Sequence, residues 1–309
     1  MNLAGLEFLT FTILVYLLWR FAMPSNNARK NLLLVASYAF YCTWDARFLG
    51  VLLGITFFQW LVGRRIYNAV TPGTKRAWVI ISVLLGLGCL AYFKYAGFFL
   101  EGLVKLLTHL GLTGAEPLAR IAAPIGISFY TFQSLTYTID IYRGRAQPTR
   151  SLRDFALFIS FFPHVTSGPI ARAGILIPQL EKDSGRVKEI DSQAIFLILR
   201  GLIKKIAFAD VLAAQFVTPA FSHPGVWSSW FLVVTIVAYS FQVYMDLSGY
   251  TDIARGIARC FGYDLMINFN RPYLARTVSN FWQRWHISMS GFFREYLYWP
   301  MGEIGRAHV

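Results

Sequence analysis

One histidine near the C-terminal end of the sequence has the chemistry of a proton acceptor. His286 follows Arg284 and Trp285 and precedes Ser288 in an aromatic and basic stretch. Imidazole suits proton transfer near neutrality, because its unperturbed pKa is about 6.5. A lone histidine among tryptophans is often a packed, hydrogen-bonded core residue instead. These residues alone therefore leave both a catalytic and a structural interpretation of His286 open.

The stretch around His286 is predicted to form one amphipathic helix that begins near Asn280 and ends at Pro300. Asn280 is its predicted N-cap, with Gln283 three residues later as a weak capping box. Its apolar stripe, at spacings of three and four, is Phe281, Trp285, Met289, Phe292 and Tyr296. His286 would lie beside this stripe and point into protein.

A second polar group precedes this stretch within an apolar segment. It consists of Gln242, Asp246, Ser248, Tyr250 and Asp252. On a helix Gln242 and Asp246 are one turn apart and face the same way. A carboxylate at the end of a membrane span needs a partner, and Arg255 or Arg284 are available. Two roles remain open for this polar group and for Gln133: they could form hydrogen bonds between helices or line a cavity.

Composition predicts an all-α integral membrane protein. Apolar residues make up 56% of the 309 residues and charged residues only 15%. The net charge of +13 does not indicate nucleic-acid binding, because the basic residues lie between apolar spans rather than on one face. The three cysteines are far apart, and no His and carboxylate cluster has metal-ligand spacing, so neither a disulfide framework nor a metal site is predicted.

Seven apolar segments are candidate membrane spans, since a span needs about 20 residues. They are Leu3–Met23, Asn31–Trp44, Phe48–Gly63, Ala77–Leu100, Ile121–Ile141, Ile195–Val217 and Trp227–Leu247. Phe155–Ile177 contains two prolines and two glycines within its apolar run and is predicted to be a re-entrant or broken element. Residues 1–302 are expected to form a single domain.

Basic residues occur after every second predicted span. These clusters contain Arg29 and Lys30; Arg64, Arg65, Lys75 and Arg76; Arg143, Arg145, Arg150 and Arg153; and Arg255, Arg259, Arg271 and Arg276. If the spans alternate, all four clusters lie on one side of the membrane, which the positive-inside rule makes cytoplasmic. The turns near Asp45 and Ser222 would lie on the other side.

The motifs of the chain resemble those of the membrane-bound O-acyltransferase (MBOAT) family, most closely its bacterial alginate O-acetylation branch. The stretch from Asn280 to Pro300 carries the main signature. The other matching stretches are Gly126–Gln133, Asp140–Gly144, Phe161–Pro163, Gly168–Ile170 and Asp246–Asp252. The resemblance implies a helical bundle with a central tunnel, in which His286 is one of two important polar positions. Asn280, Arg284, Trp285, Gln133 and the second polar group would line the substrate path.

The resemblance also implies a function. A multi-pass protein of the bacterial inner membrane would take an acyl group, most simply acetyl, from a cytoplasmic thioester such as acyl-CoA and move it across the membrane. The acyl group would reach an extracytoplasmic partner acyltransferase or a cell-surface polysaccharide such as alginate. No bound cofactor is expected. A transporter, which also uses broken helices and intramembrane charges, and a non-catalytic scaffold are the alternatives.

The end of the sequence departs from the family pattern. Residues Glu303–Val309 match one reading frame of a widely used sequencing adapter, and we expect them to be non-native. The resemblance also places the principal catalytic histidine in a later helix that this sequence does not reach. We therefore expect a C-terminally truncated and inactive chain, in which His308 has no role.

Overall fold

A computed structural model describes residues 3–110, 122–182 and 191–302, and these are helical without strands. Residues 303–309, the predicted non-native tail, lie outside the described residues. The α-helices are α1 (Leu6–Leu17), α2 (Asn26–Asp45), α3 (Leu49–Asn68), α4 (Pro72–His109), α5 (Ile127–Tyr142), α6 (Leu152–Ser160), α7 (Ala173–Glu181), α8 (Ser192–Leu202), α9 (Thr218–Ser222), α10 (Ser229–Cys260), α11 (Val278–Trp282) and α12 (Ile287–Phe292). Wider π-helical turns extend α1 over Leu18–Ala22, α8 over Ile203–Asp210 and α12 over Phe293–Tyr298.

Three helical stretches of the described chain are long and apolar enough to cross a membrane: Asn26–Asn68, Pro72–His109 and Ser229–Cys260. The last two contain the predicted spans Ala77–Leu100 and most of Trp227–Leu247. The 38 residues of α4 make a helix about 57 Å long at 1.5 Å per residue. Only 11% of the most apolar stretch of this helix is buried inside the protein, as expected for a helix that faces lipid.

The first of these stretches is a hairpin rather than one straight helix. Lys30 Nζ lies 3.4 Å from Asp154 Oδ2, and Trp60 Nε1 donates to the Thr149 carbonyl at 3.2 Å. In a straight helix residues 30 and 60 would be about 45 Å apart. Their partners Asp154 and Thr149, however, are only five residues apart in the chain and can be separated by at most about 18 Å. The chain must therefore turn back near Ala46–Phe48. α2 and α3 thus correspond to the two short spans predicted at Asn31–Trp44 and Phe48–Gly63.

The segment predicted to be broken lies at the centre of the molecule. α6 ends at Ser160, and an irregular stretch precedes α7. Phe161 and Phe162 in this stretch are almost fully buried. Backbone groups here are satisfied by side chains of other elements: the Phe162 N–H donates to Ser37 Oγ, and the Phe158 carbonyl accepts from Gln133 Nε2. Irregular backbone is therefore covered by protein, as a membrane interior requires.

The structure brings the four basic clusters to one end of the bundle. Arg153 donates to Asn27, and Arg64 and Arg150 line a common groove. Arg29 lies over the Trp19 ring, which in turn packs against Phe261 beside the fourth cluster. The opposite ends of the helices carry Asp45 and the loop at Ser222. The shared end agrees with the predicted alternation, while its cytoplasmic position stays a prediction.

Two helices approach unusually closely beside the fourth basic cluster. A Cβ on Gly201 of α8 would lie 2.6 Å from the Gly249 carbonyl of α10, and one on Gly256 would lie 2.6 Å from the Ala194 carbonyl. Small residues permit such backbone contact between membrane helices. The rest of the predicted span Ile195–Val217 continues from α8 as π-helical turns.

The predicted continuous helix from Asn280 to Pro300 is wrong. The structure has α11 and α12 instead, separated by a break in which His286 adopts a left-handed backbone, φ 41°. The true N-cap is Thr277, whose Oγ1 accepts a hydrogen bond from the Asn280 N–H. The apolar spacing continues across the break and therefore did not reveal it. Phe281 and Trp285 nevertheless pack with Tyr273, whereas Phe292 packs with Phe132 and Tyr296.

Candidate functional site

His286 is held in a strained and buried position. Its side chain is only 4% exposed, and its positive φ is uncommon for a residue other than glycine. Backbone in this region persists where neighbouring contacts over-determine it, which is frequent at functional sites. His286 Nδ1 is buried and has no hydrogen-bond partner among the described residues.

The neighbouring loop supplies the contacts that hold this turn. The Asn268 carbonyl accepts from the Ile287 N–H at 2.8 Å, and its Oδ1 accepts from the Ser288 N–H at 2.9 Å. Ser288 Oγ accepts in turn from the Ile170 N–H at 3.1 Å, in the irregular stretch before α7. The first amides of α12 are thereby satisfied by an asparagine and not by a cap of its own. Sequence reasoning missed Asn268, whose signal is a lone amide between Ile267 and Phe269.

His286 lines a cavity of about 800 Å³, which we call the histidine cavity. Its described walls combine aromatic and apolar side chains with polar ones. They are Ser279, Trp282, Gln283, Trp285, His286, Met289, Ser290, Phe293, Arg294 and Tyr298. Burial lowers the pKa of His286 from its ordinary value, so the imidazole is neutral near pH 7 and free to accept a proton.

The aromatic residues around His286 form a packed cluster. Trp285 stacks on Phe281 with ring centroids 5.4 Å apart and meets Phe269 edge-on at 5.2 Å. Phe269 also contacts the His286 ring at 5.7 Å. Trp285 was predicted to be near the substrate path, and the structure places it in the wall of the histidine cavity.

Asn280 and Arg284 have positions different from those expected for lining residues. Asn280 Nδ2 lies 3.5 Å from Gln283 Oε1 on the exposed side of α11. The Arg284 carbonyl accepts from the Asn270 N–H at 3.0 Å, so this residue braces the same loop as Asn268. Neither residue is among the described lining of the histidine cavity.

The second polar group does not meet His286 in one polar cavity. Lys205 Nζ lies 2.7 Å from both Asp246 Oδ1 and Asp210 Oδ1, and its ammonium lies 5.1 Å from the centre of the Tyr250 ring. The predicted partners Arg255 and Arg284 are therefore replaced by a lysine of the neighbouring helix. This charge cluster links α10 to the π-helical extension of α8.

Two further polar side chains of α10 are buried without a described partner. They are Gln242, at Oε1, and Ser248, at Oγ. Neither lines the histidine cavity. Buried polar atoms without partners are costly, so these two atoms are available to hydrogen-bond a further group.

Asp252 lies in a different cavity of about 700 Å³, which we call the basic cavity. Its carboxylate accepts from Arg200 at 2.7 and 2.9 Å and from Lys204 at 2.7 Å. Charged residues of its described lining are Arg200, Lys204, Asp252, Arg255, Arg259 and Arg271. Asn268 and Phe269 line it as well, so the loop that holds the His286 turn is also a wall of the basic cavity.

Gln133 is buried in the centre of the bundle with another histidine. Its Nε2 lies 3.1 Å from His164 Nε2, and both side chains are at most 2% exposed. Both atoms belong to the packing of α5 against the irregular central segment. The structure thus brings Gln133 to His164 and not to the histidine cavity.

A network missed by the sequence reasoning ties the C-terminal segment to α5. Tyr296 Oη donates to Asp140 Oδ1 at 2.8 Å, and Arg143 Nη1 donates to the Glu295 carbonyl at 3.0 Å. Arg172 forms an ion pair with the Glu295 carboxylate. These charged residues interrupt apolar elements, which is the signal that would have found them. Among the described residues there is no group of three or more His, Cys, Asp or Glu that could hold a metal ion.

Comparison with known proteins identifies the family. The model of MBOAT, the membrane-bound O-acyltransferase family, matches residues 122–308, a range that contains the His286 turn and both cavities. The chain belongs to the membrane-bound O-acyltransferase family. The family and the long apolar helices together show that this MBOAT chain is a membrane protein.

Curated relatives of this MBOAT chain are named after different acceptors of the acyl group. Probable alginate O-acetylase AlgI of Pseudomonas aeruginosa is 38% identical over 299 residues, which cover 94% of this chain and 56% of the relative. Peptidoglycan O-acetyltransferase of Helicobacter pylori is 33% identical over 88% of this chain and 56% of its own. Teichoic acid D-alanyltransferase of Bacillus subtilis is 28% identical over 59% and 47%. The chain spans little more than half the length of the AlgI relative.

Proposed function

We propose that the protein is a membrane O-acyltransferase for cell-surface polysaccharide, with acetyl as the acyl group and alginate as the model acceptor. The protein would take the acyl group from a cytoplasmic thioester such as acyl-CoA. The names of the AlgI relatives support O-acetylation, and the other relatives share the general chemistry of acyl transfer to a cell-wall polymer. A multi-pass position in the bacterial inner membrane follows from this role.

The observation that carries the proposal is the buried, neutral imidazole in the wall of a partly aromatic cavity. In the transfer step an acceptor hydroxyl oxygen attacks the thioester carbonyl carbon, the carbon–sulfur bond breaks and the thiolate leaves. His286 accepts the hydroxyl proton and returns it to the thiolate. General-base assistance of this kind contributes about 10²- to 10⁴-fold to the rate.

The walls of the histidine cavity meet a second requirement of the acyl transfer. A thioester must be kept from water, because hydrolysis competes with transfer. Trp282, Trp285, Met289 and Phe293 give this cavity an apolar surface. The loop containing Asn268 keeps the imidazole fixed relative to these walls.

The test uses the protein encoded by the complete source gene, purified in detergent with acetyl-CoA as donor. We expect thiol release, and acetyl transfer when the polysaccharide and any extracytoplasmic partner are added. His286→Ala should lower turnover about 10²- to 10⁴-fold. The control is His223→Ala, an exposed loop histidine outside both cavities. Absence of thioester cleavage by the unaltered protein would refute the enzymatic function, and equal turnover of the two variants would remove His286 from it.

A further inference from the structure

The basic cavity has an excess of positive charge. Among its described lining residues are five cationic side chains and one carboxylate, that of Asp252. Arg200 and Lys204 share this carboxylate. Arg259 lies 3.5 Å from Asp191 and 3.8 Å from Asp264 at the outer edge. The remaining two cationic residues are Arg255, which is half-buried, and Arg271, which is exposed.

Arg255 and Arg271 have no carboxylate within ion-pair distance in the described part of the chain. Arg255 Nε donates to the neutral Leu265 carbonyl, and the carboxylates of Asp252 and Asp264 act on it only at longer range. Arg271 makes no described side-chain hydrogen bond, and it is one of two non-glycine residues among those described with a positive φ. Uncompensated guanidinium groups in a cavity favour an anion with several oxygen acceptors, and phosphate is the commonest.

An apolar stripe on α8 leads away from the same cavity. Ile195, Leu199 and Ile203 follow one another at spacings of four and are 45%, 54% and 55% exposed. Phe196, 60% exposed, lies at the cavity itself, with the Arg200 guanidinium 5.5 Å from its ring centre. A ligand with a phosphate in the cavity would therefore find an apolar path along the helix for hydrocarbon chains.

The cavity also lies at the basic end of the bundle, where the positive-inside rule predicts the cytoplasmic membrane surface. Arg259 is at the end of α10 next to Phe261, on the side of the bundle that carries all four basic clusters. By the positive-inside rule this side faces the cytoplasmic leaflet. Basic pockets between helices on this side characteristically receive anionic lipid headgroups.

We propose that the basic cavity binds the phosphate of an anionic phospholipid from the cytoplasmic leaflet, with its acyl chains along the exposed stripe of α8. Arg255 and Arg271 contact the phosphate oxygens, while Asp252 keeps Arg200 and Lys204 in the wall. The site is separate from the histidine cavity and does not depend on acyl transfer. A soluble phosphorylated molecule offers the same headgroup chemistry without the chains.

The test is native mass spectrometry of the detergent-purified protein with phosphatidylglycerol or phosphatidylcholine added. We expect retention of phosphatidylglycerol in preference to phosphatidylcholine. Arg271→Gln should weaken that retention about tenfold, because a hydrogen bond between charged groups is lost. Arg276→Gln, an exposed arginine of the same loop outside the cavity, should retain the lipid as the unaltered protein does.

Three outcomes would overturn the lipid assignment. They are equal retention of the two lipids, equal retention by Arg271→Gln and Arg276→Gln, and displacement of phosphatidylglycerol by millimolar inorganic phosphate or coenzyme A. The last result would give the cavity to a soluble phosphorylated molecule. Arg271 carries the test because its side chain makes no described hydrogen bond, so its replacement leaves the fold intact. Thermal unfolding of both variants without lipid checks this point.

Discussion

Asn268 Oδ1 and the Ser288 N–H are joined by a buried hydrogen bond of 2.9 Å that spans the break beside His286. Through this bond a loop after α10 fixes the first turn of α12. The same loop lines the basic cavity, so one short segment connects the basic cavity with the turn that holds His286. The position of the imidazole therefore depends on a residue 18 positions earlier in the sequence.

Asn268→Ala should destabilise the protein by about 1–3 kcal/mol, because the buried Ser288 amide would lose its acceptor. Thermal unfolding of the purified protein measures the change. Asn270→Ala is the matched control, since Asn270 is exposed and its described bond uses only the backbone N–H. Equal unfolding midpoints for the two variants would mean that the Asn268 side chain does not hold the turn.

The His286→Gly protein should be more stable than the His286→Ala protein. The left-handed backbone at φ 41° costs an alanine about 1 kcal/mol that glycine does not incur. Position 290 in α12 provides the reverse comparison, because alanine is favoured over glycine by about 1 kcal/mol in a helix. Unfolding midpoints of the four variants test the pair of predictions. The same order at both positions would contradict the left-handed turn.

Acidification should weaken the folded protein through His286. Burial lowers its folded pKa below the unfolded value of about 6.5, so the unfolded chain binds more protons in this range. Its contribution to stability is complete above about pH 6.5 and is lost as pH falls through the folded pKa. His286→Asn, which tolerates positive φ, should show a smaller loss between pH 7.5 and 5. His223→Asn should lose as much stability over this pH range as the unaltered protein does. Buried His164 is present in the unaltered protein and in both variants, so its contribution does not affect the comparison.

Gly201→Ala should disrupt the contact between α8 and α10. The added methyl group would lie 2.6 Å from the Gly249 carbonyl, and relieving this clash costs about 1–3 kcal/mol. Gly174→Ala in α7 meets no atom within 4 Å and should be neutral or slightly stabilising. Size-exclusion profiles after heating would compare the variants. A heat-stable Gly201→Ala protein would show that the helices can separate without loss.

The basic end of the bundle should face the cytoplasm. Single cysteines at positions 143 and 222, in a background without Cys42, Cys89 and Cys260, can be labelled with an impermeant maleimide added to intact cells. Position 222 should react and position 143 only after lysis, because positively charged loops stay inside. Labelling of position 143 from outside would invert the assigned topology.

Hydrophobicity and charge in the sequence predicted the all-helical class and the position of several long helices. Apolar runs placed α4 and α10, prolines and glycines marked the break between α6 and α7, and alternating basic loops indicated that Arg29, Arg64 and Arg153 share one end. These features are local or depend only on the order of segments, so a linear pattern contains them. The MBOAT motifs in the sequence likewise indicated the family before any contact was known.

Only the tertiary structure decided which polar groups meet. The sequence pattern predicted a continuous helix through His286, yet a hydrogen-bonding asparagine from another loop holds the left-handed break there. It also grouped Asp246 with Asp252 in one site. In the structure Asp246 forms an ion pair with Lys205, whereas Asp252 forms ion pairs with Arg200 and Lys204, so the two carboxylates lie in separate environments. Such pairings depend on distances between segments remote in sequence. Periodicity within one segment carries no information about the partner that satisfies a buried charge or amide.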